Sequence, residues 1–238
     1  MRTRGFTVPE MLAVVAIIVI IISLLLPSLS KARDATKTVI CLSNLHQLGL
    51  GWRAYANDNR GIIMGAHTDR DNYDWVDNDA APALPTNELE TNIRRGRMWA
   101  YVSELSMYKC PVDPRRDYLR SYSMNNFVGG GGWNVNARLR TSALPRPGQT
   151  MVMIEEPDPR GYNWGSWVIY PKGHPSASSW IDWAPAWHND GCTLAFADGR
   201  AENWFWQDSR TRQIASFFEV HPGSPDLARL QEVFNPGD

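Results

Sequence analysis

The chain has 238 residues, 24 of them basic and 25 acidic, for a formal net charge of −1. That balance excludes a bulk electrostatic pull toward nucleic acid or anionic lipid. Long apolar sequence is confined to the N-terminus, which excludes a polytopic membrane protein, and the roughly 200 residues beyond it amount to one domain, or one domain with an extension, with a substantial core.

The first element lies in residues 2–27, RTRGFTVPEMLAVVAIIVIIISLLLP. Met11–Leu26 is a run of sixteen residues without a charge, and Glu10 stands directly before it. A carboxylate costs about 2.5–3.5 kcal/mol near a bilayer centre and less toward the interface, so its position requires a reason. Two general readings fit the run. As a secretory signal, Arg2 and Arg4 form the basic region and Ser28 and Ser30 supply small residues for cleavage. As a signal anchor, residues 6–26 in helical form span ~31 Å, about one hydrocarbon core, with the two arginines left in the cytoplasm. Neither accounts for Gly5, Phe6 and Glu10 together.

The stretch Gly5-Phe6-Thr7-Val8-Pro9-Glu10 before an Ile/Val/Leu run resembles the class III signal of type IV prepilins and type II secretion pseudopilins. The resemblance implies that prepilin peptidase cuts between Gly5 and Phe6 and that Phe6 is then N-methylated. It implies a bacterial inner-membrane protein with one span, a head in the periplasm or outside the cell, and polymerisation with other pilin or pseudopilin subunits. Glu10 falls where the family carries its glutamate, and Pro27 where many members carry a helix-perturbing proline. Pro9 departs from the commoner aliphatic residue, at a first-turn position where a missing N–H costs little. The chain then divides into a leader (1–5), a membrane and filament-core helix (6–27), an amphipathic continuation (28–59) and a head (60–238). Glu10 also gains a physical role. Cleavage creates an amine on Phe6, methylation leaves it basic, and a buried charge is tolerable only when paired. A Glu10 carboxylate on a neighbouring subunit supplies that partner and fixes the height at which subunits meet.

The helix is expected to continue beyond the membrane. Residues 28–59 contain no proline. Cys41, Leu45, Leu48, Trp52 and Tyr55 recur at spacings of four, three, four and three, an amphipathic stripe. Gly49 and Gly51 weaken it by ~1 kcal/mol each against Ala. Asn57-Asp58-Asn59-Arg60-Gly61 reads as its stop, giving a helix of ~78 Å from Phe6.

Residues 66–96 are polar and contain Asp69, Asp71, Asp74, Asp77, Asn78 and Asp79. Asp69-x-Asp71 opens like an EF-hand, but Tyr73, Asp74 and Ala80 occupy positions that need an oxygen ligand, Gly and Glu. The EF-hand fails. A looser calcium loop and a solvated loop both remain, with no other cofactor expected.

Four short stretches resemble a narrower group of bacterial prepilin-type proteins that end in a His, nine residues, Asp-Gly motif. They are Cys41-Leu42-Ser43-Asn44-Leu45-His46-Gln47-Leu48-Gly49; Tyr108-Lys109-Cys110-Pro111-Val112-Asp113-Pro114; Ser121-Tyr122-Ser123-Met124-Asn125; and His188 followed, after nine residues, by Asp198-Gly199. The group implies an exported pilin-like subunit, not a known reaction. Cys192–Ala197 alternates apolar side chains, Asp198-Gly199 reads as a type I′ turn with positive φ at both positions, and Arg200–Trp206 is the return strand. His188 beside Asp190 is read either as a metal pair or general base, or as a residue fixing the hairpin by hydrogen bonds; no third ligand is adjacent in sequence. Further strands are expected at Ser121–Phe127, Thr150–Ile154 and Ser166–Tyr170, a flexible loop at Gly129–Gly132 and a short helix at Asp226–Phe234. The architecture is α+β: one long N-terminal helix against an antiparallel sheet with long loops.

The prepilin topology puts everything past the membrane segment in an oxidising compartment. Cys41 and Cys110 are the expected disulfide, and Cys192, on an alternating strand with Leu194 and Phe196, the unpaired thiol. The competing arrangement is three reduced, buried thiols. The expected function is structural rather than enzymatic. The alternative is a secreted or anchored carbohydrate-binding or carbohydrate-active protein. Its support is the eleven Trp, eight of them at or after Trp133, although aromatics in such number also build a β-rich core. Glu155 and Glu156 sit together at a strand end, but neighbours on a strand point to opposite faces. They cannot form the facing carboxylate pair of a glycosidase.

Overall fold

The computed structural model describes residues 7–67, 74–77, 86–130, 137–157 and 165–236. Helix α1 runs unbroken over Val8–Asp58, with Pro9 in its first turn and Pro27 in its interior. Its two halves have different surroundings. Every side chain from Thr7 to Thr36 is exposed, Ile17, Val19 and Leu24 among them. From Cys41 onward the expected stripe, Cys41, Leu45, Leu48, Trp52 and Tyr55, is buried in the head. The helix ends one residue beyond the expected stop at Asn57.

The head is built on a five-stranded sheet in the order β3-β1-β2-β4-β5. The strands are β1 (Tyr122–Asn125), β2 (Met151–Glu155), β3 (Ser166–Trp167), β4 (Gly191–Phe196) and β5 (Ala201–Phe205). All five fall within or beside the segments expected to be strands. β1–β2, β2–β4 and β4–β5 pair antiparallel, but β1 and β3 pair parallel. The sheet is therefore mixed, not wholly antiparallel as expected. Both sides of β2 are taken by β1 and β4, so β3 joins the free edge of β1, and there it runs in the same direction. The α+β class holds: α1 packs its second half across β4 and β5.

Helix α2 (Thr86–Arg95) lies in the polar stretch expected to be a loop. It anchors through Ile93, which is buried beside Asn92. Glu88 in its first turn and Arg94 and Arg95 in its last match the helix dipole. Helix α3 (Pro225–Phe234) starts at Ser224, whose Oγ accepts the Leu227 N–H at 3.4 Å, and buries Leu227, Leu230 and Phe234. Among the described residues the Trp excess goes inward. Trp52, Trp75, Trp167 and Trp180 are fully buried, and Trp183, Trp204 and Trp206 nearly so.

The β4–β5 connection departs from the expected two-residue turn. The Gly199 N–H donates to the Phe196 carbonyl at 2.9 Å, the Phe196 N–H donates to that of Arg200 at 2.9 Å, and Ala195 pairs with Ala201. Gly199 has φ +94°, whereas Asp198 is not among the positive-φ residues. This is the three-residue loop, a turn followed by one left-handed glycine, rather than type I′.

Candidate functional site

Two places carry the chemistry that the sequence singles out: the start of α1, and a buried junction between α1 and the sheet. Gly5 and Phe6, the expected processing site, lie outside the described residues. Glu10 occupies the first turn of α1, and its Oε2 accepts the Thr7 backbone N–H at 2.8 Å and the Thr7 hydroxyl at 2.7 Å. The carboxylate thus turns back toward the helix start, the end where Phe6 lies in sequence and where the helix dipole favours negative charge. By length and composition α1 can cross a membrane, and none of its apolar window is covered by the rest of the chain. A signal sequence passes the same test.

The junction begins with a disulfide. Cys41 and Cys110 are bonded, with Cα atoms 5.3 Å apart and a sequence separation of 69. Cys192 is free and buried, and burial pushes its thiol pKa well up. Of the two cysteine arrangements, the bonded pair is the one found. Cys110 is held by its own loop. Its N–H donates to Ser121 Oγ at 3.0 Å, and that hydroxyl donates to Asp113 Oδ2 at 2.6 Å. Asp113 also accepts from Lys109 Nζ at 2.8 Å and from Arg115 Nη2 at 2.8 Å. Burial works to raise the Asp113 pKa, but Arg115, Lys109 and Ser121 together hold it below the ordinary value. The second and third short motifs therefore form one network: the Asp113 loop clamps the residue before β1.

His188 faces the same junction. Its ring is fully buried, with Nδ1 3.0 Å from Thr38 Oγ1 on α1. Its Nε2 lies 2.8 Å from Glu155 Oε1 at the end of β2 and 3.4 Å from Cys110 Sγ. The other Glu155 oxygen accepts the Thr193 N–H of β4 at 2.8 Å. His188 thus bolts helix to sheet, a longer reach than fixing its own hairpin. The pairing with Asp190, one of the two readings of this histidine, does not form. Asp190 has φ +66° and its carboxylate takes Arg212 Nη1 at 2.6 Å. Sequence adjacency also misled on further ligands. Sulfurs of Cys41 and Cys110, a His188 nitrogen and a Glu155 oxygen all lie within 4.8 Å of one another. Glu155 was singled out only as half of a carboxylate pair, and nothing local marks it as the partner of a histidine 33 residues away.

Asp198 and Gly199 meet the helix. His46 Nδ1 is 2.6 Å from the Gly199 carbonyl, and Arg53 Nη1 donates to the Asp198 carbonyl at 2.5 Å. Gly49 passes over the same turn, where an added Cβ would stand 3.7 Å from Gly199 Cα. The first and last motifs are thus the two sides of one helix–hairpin contact.

Asp69, Asp71, Asn78 and Asp79 of the calcium reading lie outside the described residues, as do Gly131 and Gly132 of the flexible loop. Asp74 and Asp77 flank Trp75 and Val76, both buried. Glu155 and Glu156 diverge as expected; Glu156 Oε2 accepts Ser123 Oγ at 2.5 Å. The head also has a cleft of about 550 Å³ whose lining includes Arg146, Lys172, Trp204 and Arg229. The Arg229 guanidinium sits 3.5 Å above the Trp204 ring.

No family model matches the chain, and no curated protein or solved structure matches it either. What stands is a long apolar N-terminal helix whose second half is built into, and disulfide-tied to, an α+β head.

Proposed function

We propose that this chain is a structural subunit of a type IV pilus or a type II secretion-like pseudopilus. Prepilin peptidase cuts it between Gly5 and Phe6 and the new terminus is methylated. The subunit waits in the inner membrane as a single-pass protein with its head in the periplasm, then enters a filament with other pilin or pseudopilin subunits. The observation that carries this reading is the asymmetry of α1. Its first half is an apolar shaft bare of any cover from its own chain, continuous with a second half that forms the spine of the head. Such a shaft has to be covered by lipid or by copies of itself. Glu10 is the only charge between Arg4 and Lys31, placed where it can meet the amine of a neighbour.

The carbohydrate reading has less support, because the described Trp side chains are largely core and Glu155 and Glu156 are engaged in separate networks. Mass spectrometry of the mature N-terminus tests the proposal. N-methyl-Phe6 is the expected result; a mature chain starting near Lys31 makes the segment a removed signal and ends the filament reading. Pulldown on insoluble polysaccharide tests the alternative.

A further inference from the structure

Four potential ligand atoms converge on one buried point at the junction of α1 and the sheet. His188 Nε2 lies 2.8 Å from Glu155 Oε1 and 3.4 Å from Cys110 Sγ, which is bonded to Cys41. The other ring nitrogen, Nδ1, lies 3.0 Å from Thr38 Oγ1. In the disulfide-bonded chain a hydrogen bond joins His188 to Glu155.

We propose that, when the two thiols are reduced, Cys41, Cys110, His188 and Glu155 form a closed four-ligand site for a zinc-class divalent cation, and that metal and disulfide are mutually exclusive occupants of this junction. The donor set fits. Two sulfurs, one imidazole nitrogen and one carboxylate oxygen suit tetrahedral Zn²⁺, whose neighbouring ligand atoms stand about 3.3–3.8 Å apart. The Cys110–His188 separation of 3.4 Å already lies in that range. The sulfurs must part to about 3.7 Å and the His188–Glu155 pair must open from 2.8 Å to about 3.3 Å, which side-chain rotation allows with the cysteine Cα atoms 5.3 Å apart. Four different segments supply the ligands, and all four side chains are buried, as a structural site requires. Thr38 on Nδ1 and the Thr193 N–H on Glu155 orient the two non-sulfur ligands from outside.

The steps balance. A dithiol reductant gives two electrons and two protons to the Cys41–Cys110 bond and leaves as its own disulfide. Metal binding then releases the two thiol protons, while the neutral His188 ring coordinates through Nε2 and carries its hydrogen on Nδ1, toward Thr38. In reverse, a disulfide oxidant takes the two electrons and expels the metal.

Cobalt(II) titration of the full chain in detergent micelles, with a phosphine reductant present, tests the proposal. The expected result is one Co²⁺ per chain with thiolate-to-cobalt charge-transfer absorption, a raised Tm of the reduced chain, and neither signal in the disulfide-bonded chain. His188→Gln, which keeps both thiols, should weaken Co²⁺ at least tenfold. Thr38→Val, on the partly exposed helix surface, should weaken it roughly 10–100-fold without unfolding the head. Absence of Co²⁺ binding by the reduced wild type overturns the proposal. So does binding that leaves Tm unchanged, or an affinity that both variants preserve.

Discussion

At the scale of single residues, backbone geometry and buried charge decide most outcomes. Gly199 holds φ +94° and an added Cβ would lie 3.4 Å from Leu50 Cδ2. Gly199→Val forces a β-branched residue into the left-handed region against α1, at a cost of order 1–3 kcal/mol. The denaturant midpoint should fall accordingly; an unchanged midpoint means that the hairpin turn does not set head stability. Asp113 makes a pH prediction. Its pKa is depressed in the fold, so its contribution to stability is present above the unfolded value and is lost as pH falls through the folded one. Asp113→Asn should therefore destabilise the head at pH 7, and its deficit should narrow below about pH 4. Parallel urea curves at pH 7 and pH 3 measure this, and a deficit constant across that range removes the carboxylate from the account. These residues differ in how far the sequence reveals them. Gly199 was legible because Asp-Gly after an alternating run is a local signal, even though the turn uses three residues instead of two. The Cys41–Cys110–His188–Glu155 junction was legible only in pieces. Its contacts span separations of 69, 78 and 33 residues, and no local periodicity encodes a meeting at that range.

At the scale of elements, the buried stripe of α1 follows from its four-three spacing, and the strands from alternation between turn residues. Helix α2 was missed because its apolar face is a single i,i+4 pair, Leu89 and Ile93, in an otherwise polar stretch; its end charges were a further signal. The two glycines of α1, by sequence equal weaknesses, differ once the helix is packed. A Cβ on Gly49 would make ordinary contact, 3.7 Å from Gly199 Cα and 3.8 Å from Ala195 Cβ. A Cβ on Gly51 would stand 2.7 Å from Val102 Cγ2 and 2.9 Å from Met98 Sδ. Gly49→Ala should gain most of the helix-propensity difference, up to about 1 kcal/mol. Gly51→Ala gains the same propensity but overpacks the 3-10 turn Arg97–Ala100 and Val102, a cost of about 1–3 kcal/mol. Thermal melts of the two variants should move in opposite directions. Equal shifts would show that the helix does not seat against that turn.

At the scale of the whole molecule, the two halves of α1 have different surroundings. The head closes on itself: stripe, sheet and α3 share one core. The shaft does not, since residues 7–36 are exposed along their whole length. Removing them should therefore cost the head almost nothing. A chain starting at Lys31 should remain in solution without detergent and melt with the full chain's midpoint, whereas the full chain should sediment with membranes. A lower midpoint for the short chain would mean that the shaft folds back onto the head. On the filament reading proposed above, Glu10 is needed for assembly alone. Among the described residues its carboxylate binds Thr7, so Glu10→Gln should not disturb folding, membrane insertion or cleavage after Gly5. In a filament the same change would leave the Phe6 amine of a neighbour without its counter-charge in an apolar core, where a lone charge costs several kcal/mol. Subunits carrying Glu10→Gln should accumulate, processed and folded, in the inner membrane and fail to polymerise. Filament or secretion output at wild-type level from that variant would remove the charge pair from the mechanism while leaving the anchor in place.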